Sequence, residues 1–263
     1  MKELAFTKMQ GLGNDYIYID ARDITVEDPA ALSRRLSDRH FGIGGDGIVL
    51  IGRSDVADFS MRMFNADGSE GLMCGNAARC IGKYVYDKGL TSKQTVTLET
   101  SSGIKTLVLH PSDGTVSVDM GRFASMPAPS SMSGFQGTGI NMGNPHYVMF
   151  VPDAEAVDLP AAGPAIETDD AFPGGVNAEF ASVRRDGSIR MRVWERGSGI
   201  TLACGTGACA TAAAAVLAGI KSYGEAVRIV MDGGSLSVTV ESDGRVSMTG
   251  PAVTVFEGRL NLA

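Results

Sequence analysis

A chain of 263 residues with 44% hydrophobic and 20% charged residues has an ordinary globular composition. It is long for one domain and comfortable for two of about 130 residues each. A net charge of −7, with no Lys/Arg block longer than two residues, argues against a nucleic-acid surface. Thirty-four glycines, about twice the usual share, require many tight turns or close backbone approaches.

In chain order, the first twenty residues lack a continuous apolar core and a small-residue cleavage site, so no signal peptide is expected and the protein reads as cytoplasmic. A helix is predicted near Pro29 to Asp38. The run Gly-Ile-Gly-Gly-Asp-Gly at 42–47 matches G-x-G-x-x-G, but a helix-like segment precedes it and strand-like Ile48 to Ile51 follows. A dinucleotide site needs strand then helix, so none is expected. Residues 75–88 place Ala77, Ala78, Ile81, Tyr84 and Val85 on one side and Arg79, Lys83, Asp87 and Lys88 on the other, as an amphipathic helix does. Alternation of polar and apolar residues predicts strands at 94–99, 115–120 and 235–240. Asp113-Gly114, Asp186-Gly187 and Asp243-Gly244 read as hairpin turns between such runs. The Pro-, Ser- and Gly-rich stretch 122–138 reads as a linker. A weaker helix is predicted near Pro160 to Glu167. Residues 205–219 are small and apolar on nearly every face, which suits a helix packed inside a sheet; Ala208 to Ile220 is too short and Ala-rich to span a bilayer. The thirteen methionines are core filler on this reading.

The chain repeats itself. Met-Gly-Asn-Pro-His-Tyr-Val at 142–148 parallels Leu-Gly-Asn-Asp-Tyr-Ile at 12–17, with Asn144 lying 130 residues beyond Asn14. Met-Arg-Val-Trp-Glu at 191–195 follows Met-Arg-Met-Phe-Asn at 61–65 by the same offset, and so does Cys204 follow Cys74. Several blocks in one order at one offset point to two copies of one domain. The expected fold class is α+β: two pseudo-symmetric domains, each a mainly antiparallel, barrel-like sheet around a central helix. The expected boundaries are 1–125, carrying Cys74, and 126–263, carrying Cys204, with the C-terminal strand free to cross back.

The four cysteines need separate treatment. Without a secretory signal they read as reduced thiols rather than a disulfide framework. Cys74 to Cys80 is C-x5-C and Cys204 to Cys209 is C-x4-C, which are not zinc-knuckle spacings, and on a helix each pair diverges, so no metal is expected. Cys80 and Cys209 read as small core residues. Cys74 and Cys204 each directly precede a predicted helix, where unpaired backbone N–H groups and the helix dipole stabilise a thiolate and lower thiol pKa values. Gly75 and Gly205 behind them let a ligand approach, and the amides there can hold a carboxylate. Two such half-sites facing each other across a cleft would offer a thiol and a thiolate to opposite sides of one bound anion. Racemisation at an α-carbon needs that pairing: one base removes the proton and one acid returns it on the other face.

At this point the chain resembles the diaminopimelate epimerases, which are cofactor-independent. The resembling blocks are Met-Gln-Gly-Leu-Gly-Asn-Asp-Tyr (9–16), Arg-His-Phe-Gly-Ile-Gly-Gly-Asp-Gly (39–47), Phe-Asn-Ala-Asp-Gly-Ser-Glu (64–70) and Met-Cys-Gly-Asn-Ala-Ala-Arg-Cys (73–80). Met-Gly-Asn-Pro-His (142–146), Val-Asn-Ala-Glu-Phe (176–180), Val-Trp-Glu-Arg-Gly-Ser-Gly (193–199) and Ala-Cys-Gly-Thr-Gly-Ala-Cys (203–209) complete the set. The resemblance implies two similar barrels, each around a central helix, and conversion of LL- to meso-diaminopimelate in lysine and cell-wall synthesis. It implies Cys74 and Cys204 as the catalytic acid/bases. Asn14, Asn65, Asn144, Asn177 and Arg196 would bind the substrate, chiefly at its non-reacting end, where amide donors and an arginine suit a carboxylate. Gly75, Asn76, Gly205 and Thr206 would hold the reacting carboxylate. His146 and Glu195 would orient the ammonium or tune the thiols. No cofactor, nucleic acid or membrane partner is expected, the partner is a small amino-acid substrate, and a homodimer is left open. Three positions depart from the family pattern: Gly47 stands where some members carry glutamine, Ala77 replaces a common glycine, and Tyr147 occupies a position that is often cysteine.

Judged alone, His146 would be a structural histidine, Asn14 and Asn65 turn residues, and Glu195-Arg196 a surface ion pair. Two other classes compete: a one-nucleophile cysteine hydrolase with His146 as base, and a non-catalytic amino-acid-binding module. Neither accounts for the second cysteine motif. A related epimerase acting on another amino acid is the nearer rival.

Overall fold

The computed structural model describes residues 2–71 and 73–262. It is a mixed α/β fold with four helices among those residues and mostly antiparallel strands. Contacts divide the chain into two compact units: the residues up to Val118 together with those from Gly250 onward, and Asp119–Thr249.

In the first unit, strand Asn14–Asp20 lies parallel to Gly47–Gly52, which is antiparallel to Phe59–Asn65. Phe59–Asn65 is then parallel to Thr95–Thr100, and two antiparallel steps follow through Gly103–His110 to the strand beginning at Thr115. Parallel neighbours require a crossover, and helices supply both. Helix α1 (Pro29–Ser37) joins the first parallel pair and helix α2 (Gly75–Asp87) the second. Strand Lys2–Gly11 pairs with Asn14–Asp20 and with Val253–Leu262, so the C-terminal strand belongs to this unit.

The second unit shows the same succession of senses. Pro145–Phe150 is parallel to Asn177–Val183, which is antiparallel to Ile189–Glu195; that strand is parallel to Ala226–Met231, and Gly234–Val240 and the strand from Arg245 follow antiparallel. Helix α3 (Leu159–Glu167) and helix α4 (Gly205–Leu217) occupy the crossovers.

The helix starts follow from local chemistry. Asp28 caps α1 by accepting from the Ala31 amide at 2.9 Å, and Asp158 caps α3 by accepting from the Ala161 amide at 3.3 Å. Each is followed by a proline in the first turn, where no hydrogen bond is lost. The three Asp-Gly pairs sit at hairpin tips, where Gly114, Gly187 and Gly244 have φ of 72°, 80° and 86°; only glycine adopts that backbone without strain.

Helix α2 buries Ala77, Ala78, Ile81 and Val85 and leaves the Lys83–Asp87 ion pair towards water. Helix α4 has no such sides. Ala208, Ala210, Ala212, Ala213 and Ala215 are all fully buried, and strands 138–141, 145–150, 177–183, 189–195, 226–231 and 234–240 of its own unit surround it. No helix among the described residues is long and apolar enough to cross a membrane.

The stretch 122–138 is not the featureless linker its composition suggests. Ala124–Ser125 pairs with Thr138–Asn141, and Ser131–Met132 forms a small hairpin with Phe135–Gln136. The reason is its scattered apolar residues. Met132 is buried in a cluster with Tyr147, Leu159, Ile166 and Phe180, and Met126, Ala128 and Phe135 pack against that cluster. Burial of those side chains outweighs the turn propensity of their neighbours.

Candidate active site

Helices α2 and α4 both begin at a cysteine. Cys74 is the N-cap of α2, with φ −130° and ψ 122°, and Cys204 is the N-cap of α4, with φ −119° and ψ 110°. Those extended dihedrals belong to a cap residue, behind which the first-turn N–H groups have no intrahelical partner. Neither helix carries an acidic residue in its first turn. The positive end of each dipole is therefore not offset from within the helix and remains available to an anion.

In the first unit, Cys74 is half-buried and its Sγ donates to Asn14 Oδ1 at 3.3 Å. Asn14 Nδ2 donates to Asp46 Oδ2 at 2.8 Å. The Tyr16 hydroxyl donates to Asn65 Oδ1 at 3.3 Å, and Asn65 Nδ2 donates to Ser69 Oγ at 3.0 Å. Burial, and then the charges of Cys74 and Asp46, hold the Tyr16 hydroxyl well above its ordinary pKa, so it stays a neutral donor. Asn76 is buried and accepts from Arg79 Nη2 at 2.8 Å; the Arg79 guanidinium also donates to Pro251 O at 3.1 Å. A fully buried arginine thus pins the first turn of α2 to the unit's C-terminal segment.

In the second unit, Cys204 is buried. Its Sγ accepts from the Gly207 amide at 3.3 Å and lies 3.5 Å from Thr206 Oγ1. A chain of contacts leads away from it. Asn144 Nδ2 donates to Thr206 Oγ1 at 3.3 Å, Asn144 Oδ1 lies 3.0 Å from His146 Nε2, and His146 Nδ1 lies 2.6 Å from Glu179 Oε1. His146 and Glu179 are both fully inaccessible. Glu195 Oε1 accepts from the Thr201 hydroxyl. Strand register assembles this set: His146 stands opposite Asn177 across a parallel pair, and two residues further along the same face lies Glu179.

Arg196 is exposed. Its backbone N–H donates to Asn177 Oδ1 at 3.0 Å and its Nη1 to Gly174 O at 2.9 Å. It borders a cavity of about 380 Å³ lined also by Glu167, Thr168, Asp169, Phe172 and Gly174. Asn177 Nδ2 donates to Pro145 O at 2.8 Å, tying the strand of Arg196 to that of His146. Asn14, Asn65, Gly75 and Asn76 therefore gather on the Cys74 side, and Asn144, His146, Asn177, Glu195, Arg196, Gly205 and Thr206 on the Cys204 side.

One expectation fails. A helix start should lower a thiol pKa, yet Cys204 is held well above the ordinary value. Burial is the largest cause, followed by the carboxylates of Glu195 and Glu179; the hydrogen bonds from Thr206 and Gly207 oppose them but do not prevail. Glu195 is itself pushed up, mainly by burial and next by the nearby Glu179 charge. Cys80 is raised by burial to about 11, although hydrogen bonds with Tyr18 and the Val253 backbone and the charge of Arg79 oppose the shift.

Two residues outside the predicted set matter here. Glu179 touches His146, and its Oε2 is buried without a hydrogen-bond partner among the described residues. Asp46 orients Asn14. Two of the three departures from the family pattern, Gly47 and Tyr147, fit their surroundings. A Cβ at Gly47 would lie 2.0 Å from Phe64 O and 2.7 Å from the Tyr16 ring, so glycine fits there. The Tyr147 ring occupies the space a Cβ at Gly137 would need, at 2.4 Å, and its hydroxyl donates to Pro129 O at 3.0 Å. Among the described residues no group of three or more His, Cys, Asp or Glu is placed to hold a metal ion.

Comparison with known proteins follows the same lines. The family model described as diaminopimelate epimerase matches residues 6–125 and 138–255. The diaminopimelate epimerase of Phocaeicola vulgatus is 54% identical over 281 residues, covering 98% of this chain and 99% of that protein. That of Bacteroides thetaiotaomicron is 52% identical, covering 98% of each. That of Methanococcus maripaludis strain C5 is 47% identical, covering 98% of this chain and all of the other. Among solved structures, a PhzF-family phenazine biosynthesis protein from Bacillus anthracis superposes with a TM-score of 0.77 at 15% identity, covering the whole of both chains. A hydroxyproline epimerase from Agrobacterium vitis gives 0.67 at 16% identity, covering 99% of this chain and 93% of that one. Those two likenesses concern the fold.

Proposed function

The chain belongs to the diaminopimelate epimerase family of isomerases, and on that premise we propose that it interconverts LL- and meso-2,6-diaminopimelate by proton transfer between two cysteines. One thiol(ate) takes the α-proton and the other returns a proton to the opposite face of the same carbon, so atoms and charge balance without a redox partner. The observation that carries this reading is the contrast in hydrogen bonding at the two helix starts. Cys74 Sγ donates to a carbonyl oxygen, which favours the thiol, whereas Cys204 Sγ accepts an amide N–H, which favours a thiolate against the burial and carboxylates that raise its pKa. The open first-turn amides of α2 and α4, at Gly75-Asn76 and Gly205-Thr206, suit the reacting carboxylate. Asn14, Asn65, Asn144, Asn177 and Arg196 take the remaining groups, and His146 with Glu195 tunes Cys204.

The two-copy reading of the chain, with domains at 1–125 and 126–263 and the C-terminal strand crossing back to the first, draws support from the matching order of strand pairings and from the family match to each half. Each copy is then a barrel-like sheet around its central helix, α2 or α4. Acting on a free amino acid in lysine and peptidoglycan precursor synthesis, the enzyme belongs in the cytoplasm, as a monomer or homodimer.

Turnover in D₂O tests the proposal. Wild type should invert LL-diaminopimelate and incorporate solvent deuterium at the inverted carbon. Cys74→Ala and Cys204→Ala should each lose epimerisation by about 10²–10⁴-fold, the scale of an acid–base contribution, while Cys80→Ala keeps most activity. Epimerisation by Cys204→Ala at close to the wild-type rate would sink the two-thiol scheme, and inversion of a different amino acid in preference would redirect the substrate.

A further inference from the structure

Asp46 bears on Cys74 through the side chain of Asn14. An asparagine side chain presents either an acceptor or a donor, and the two ends are nearly the same shape. The neighbour of the other end therefore decides. Asp46 Oδ2 lies 2.8 Å from the Asn14 amide nitrogen and also accepts from the Asp15 backbone N–H at 3.1 Å. An ionised carboxylate accepts only, so the Nδ2 end of Asn14 must point at Asp46 and the Oδ1 end at Cys74 Sγ, 3.3 Å away. Turning the amide over would set two acceptors against each other at 2.8 Å on one side and offer N–H to sulfur on the other.

The surrounding charges leave this oxygen to Asn14. Asp15 is already satisfied by Lys8 at 2.5 Å and by Arg39 at 2.7 Å. Arg39 takes the other oxygen of Asp46, Oδ1, at 3.0 Å. Lys8 also donates to Gly44 O. Backbone holds the carboxylate in place, since Asp46 N donates to Asp15 O at 2.7 Å. The Tyr16 hydroxyl, also within hydrogen-bond reach of Asn14, is kept neutral mainly by burial, so it does not compete with Asp46 as a charged acceptor.

We propose that Asp46 is a positioning residue for epimerisation: by fixing the amide of Asn14 it holds Cys74 opposite a carbonyl oxygen, in the protonated, donating form. This assignment rests on Cys74 being one of the two reacting thiols. A carbonyl oxygen rewards S–H and disfavours S⁻, so the orientation keeps a proton on Cys74 until substrate arrives. In the second unit a backbone N–H and a hydroxyl stand at the sulfur of Cys204, where burial and the carboxylates of Glu195 and Glu179 nonetheless hold the thiol pKa up.

The test is Asp46→Asn, which can accept or donate and so frees Asn14 to give Nδ2 to the sulfur. The rate at which iodoacetamide alkylates Cys74 near neutral pH, read from the mass of its tryptic peptide, should rise about fivefold, as one reversed hydrogen bond would give. The pH midpoint of that reaction should fall, the Cys204 rate should hold, and kcat should drop with KM little changed. Loss of the Asp46 charge could mimic this through space, and Asn14→Ala separates the two: with no amide to orient, Asp46→Asn should leave the Cys74 rate unchanged. Asp46→Ser, which keeps an acceptor for the Asp15 amide, repeats the measurement if the asparagine variant folds poorly. An unchanged or slower Cys74 rate in the folded variants overturns the proposal, and so does an acceleration that persists in the Asn14→Ala background. Alkylation needs no turnover, so inactivity towards diaminopimelate would fault the proposed function and leave this result standing.

Discussion

The first turns of α2 and α4 share a motif and differ in nearly everything around it. Both read Cys-Gly-polar at a helix start, and both caps have extended backbone. Cys74 is half-buried and faces an acceptor; Cys204 is buried, faces donors, and has two carboxylates behind it. A local motif thus supplies the position of a sulfur and the amides beside it, while its acid–base character comes from residues one contact further away. Asp46 acts through Asn14 on one side; on the other Glu179 acts through His146 and Asn144, and Glu195 lies within hydrogen-bond reach of the Cys204 thiol.

The comparison breaks most sharply at Gly207. A Cβ there would lie 2.8 Å from Glu179 Oε1 and 3.2 Å from Cys204 Sγ. Gly207→Ala should displace the buried carboxylate from His146 and lower kcat by roughly tenfold or more, since misplacement of this order can cost about 10² in rate. Stability should fall less, because overpacking of about 1–3 kcal/mol is partly offset by the about 0.5–1 kcal/mol that alanine gains over glycine in a helix. Thermal melting and initial rates separate the two; a fully active variant would show that Glu179 moves freely.

A second measurement sharpens the electrostatic half of the contrast. Since burial and both carboxylates raise Cys204, its alkylation in wild type should keep rising with pH beyond the point where an ordinary thiol levels off. Glu195→Gln removes the larger of the two charge effects, so the midpoint should fall and the rate at fixed pH rise several-fold, with Cys74 unaffected. An upward move of the midpoint would mean that Glu195 favours the thiolate.

The smallest effect belongs to the same Gly→Ala exchange in α2. At Gly82 the added methyl meets only side-chain methyls, Val116 Cγ1 at 3.1 Å and Leu107 Cδ1 at 3.4 Å. Packing and helix propensity should nearly cancel, leaving stability within about 1 kcal/mol and turnover unchanged. A large loss of activity there would show that α2 transmits strain to Cys74, as predicted for α4 and Cys204 at Gly207.

Much of this was legible in the residues themselves. The predicted helices near Pro29, Pro160, Gly75 and Gly205 begin within a residue of those found, because capping and proline signals are local. The shared offset of Asn14 and Asn144 and of Cys74 and Cys204 anticipated the matching strand order. What escaped depends on contacts between distant segments. Glu179 did leave a trace: an acidic residue set between Ala178 and Phe180 is out of place in a buried strand. Only the parallel register with His146 gives that trace a meaning. Asp46 left none, since its glycine-rich surroundings read equally well as a turn. The raised pKa of Cys204 was likewise out of reach, for it is the sum of burial and two carboxylates from separate strands.

The even, alanine-lined surface of α4 has one more consequence. A helix with a wet side and a dry side has a compass: rotation about its axis would drown apolar groups or strand charged ones. An almost uniform cylinder has none, so its azimuth is set by how small differences in side-chain bulk mesh with the surrounding strands. Each residue advances the helix by about 100°, and the aim of the amides at Gly205 to Gly207 is therefore decided along the whole length of the rod. A single methyl added at Ala212 or Ala215, turns away from the sulfur, would act as a steering change, swinging Cys204 off line while the protein stays folded.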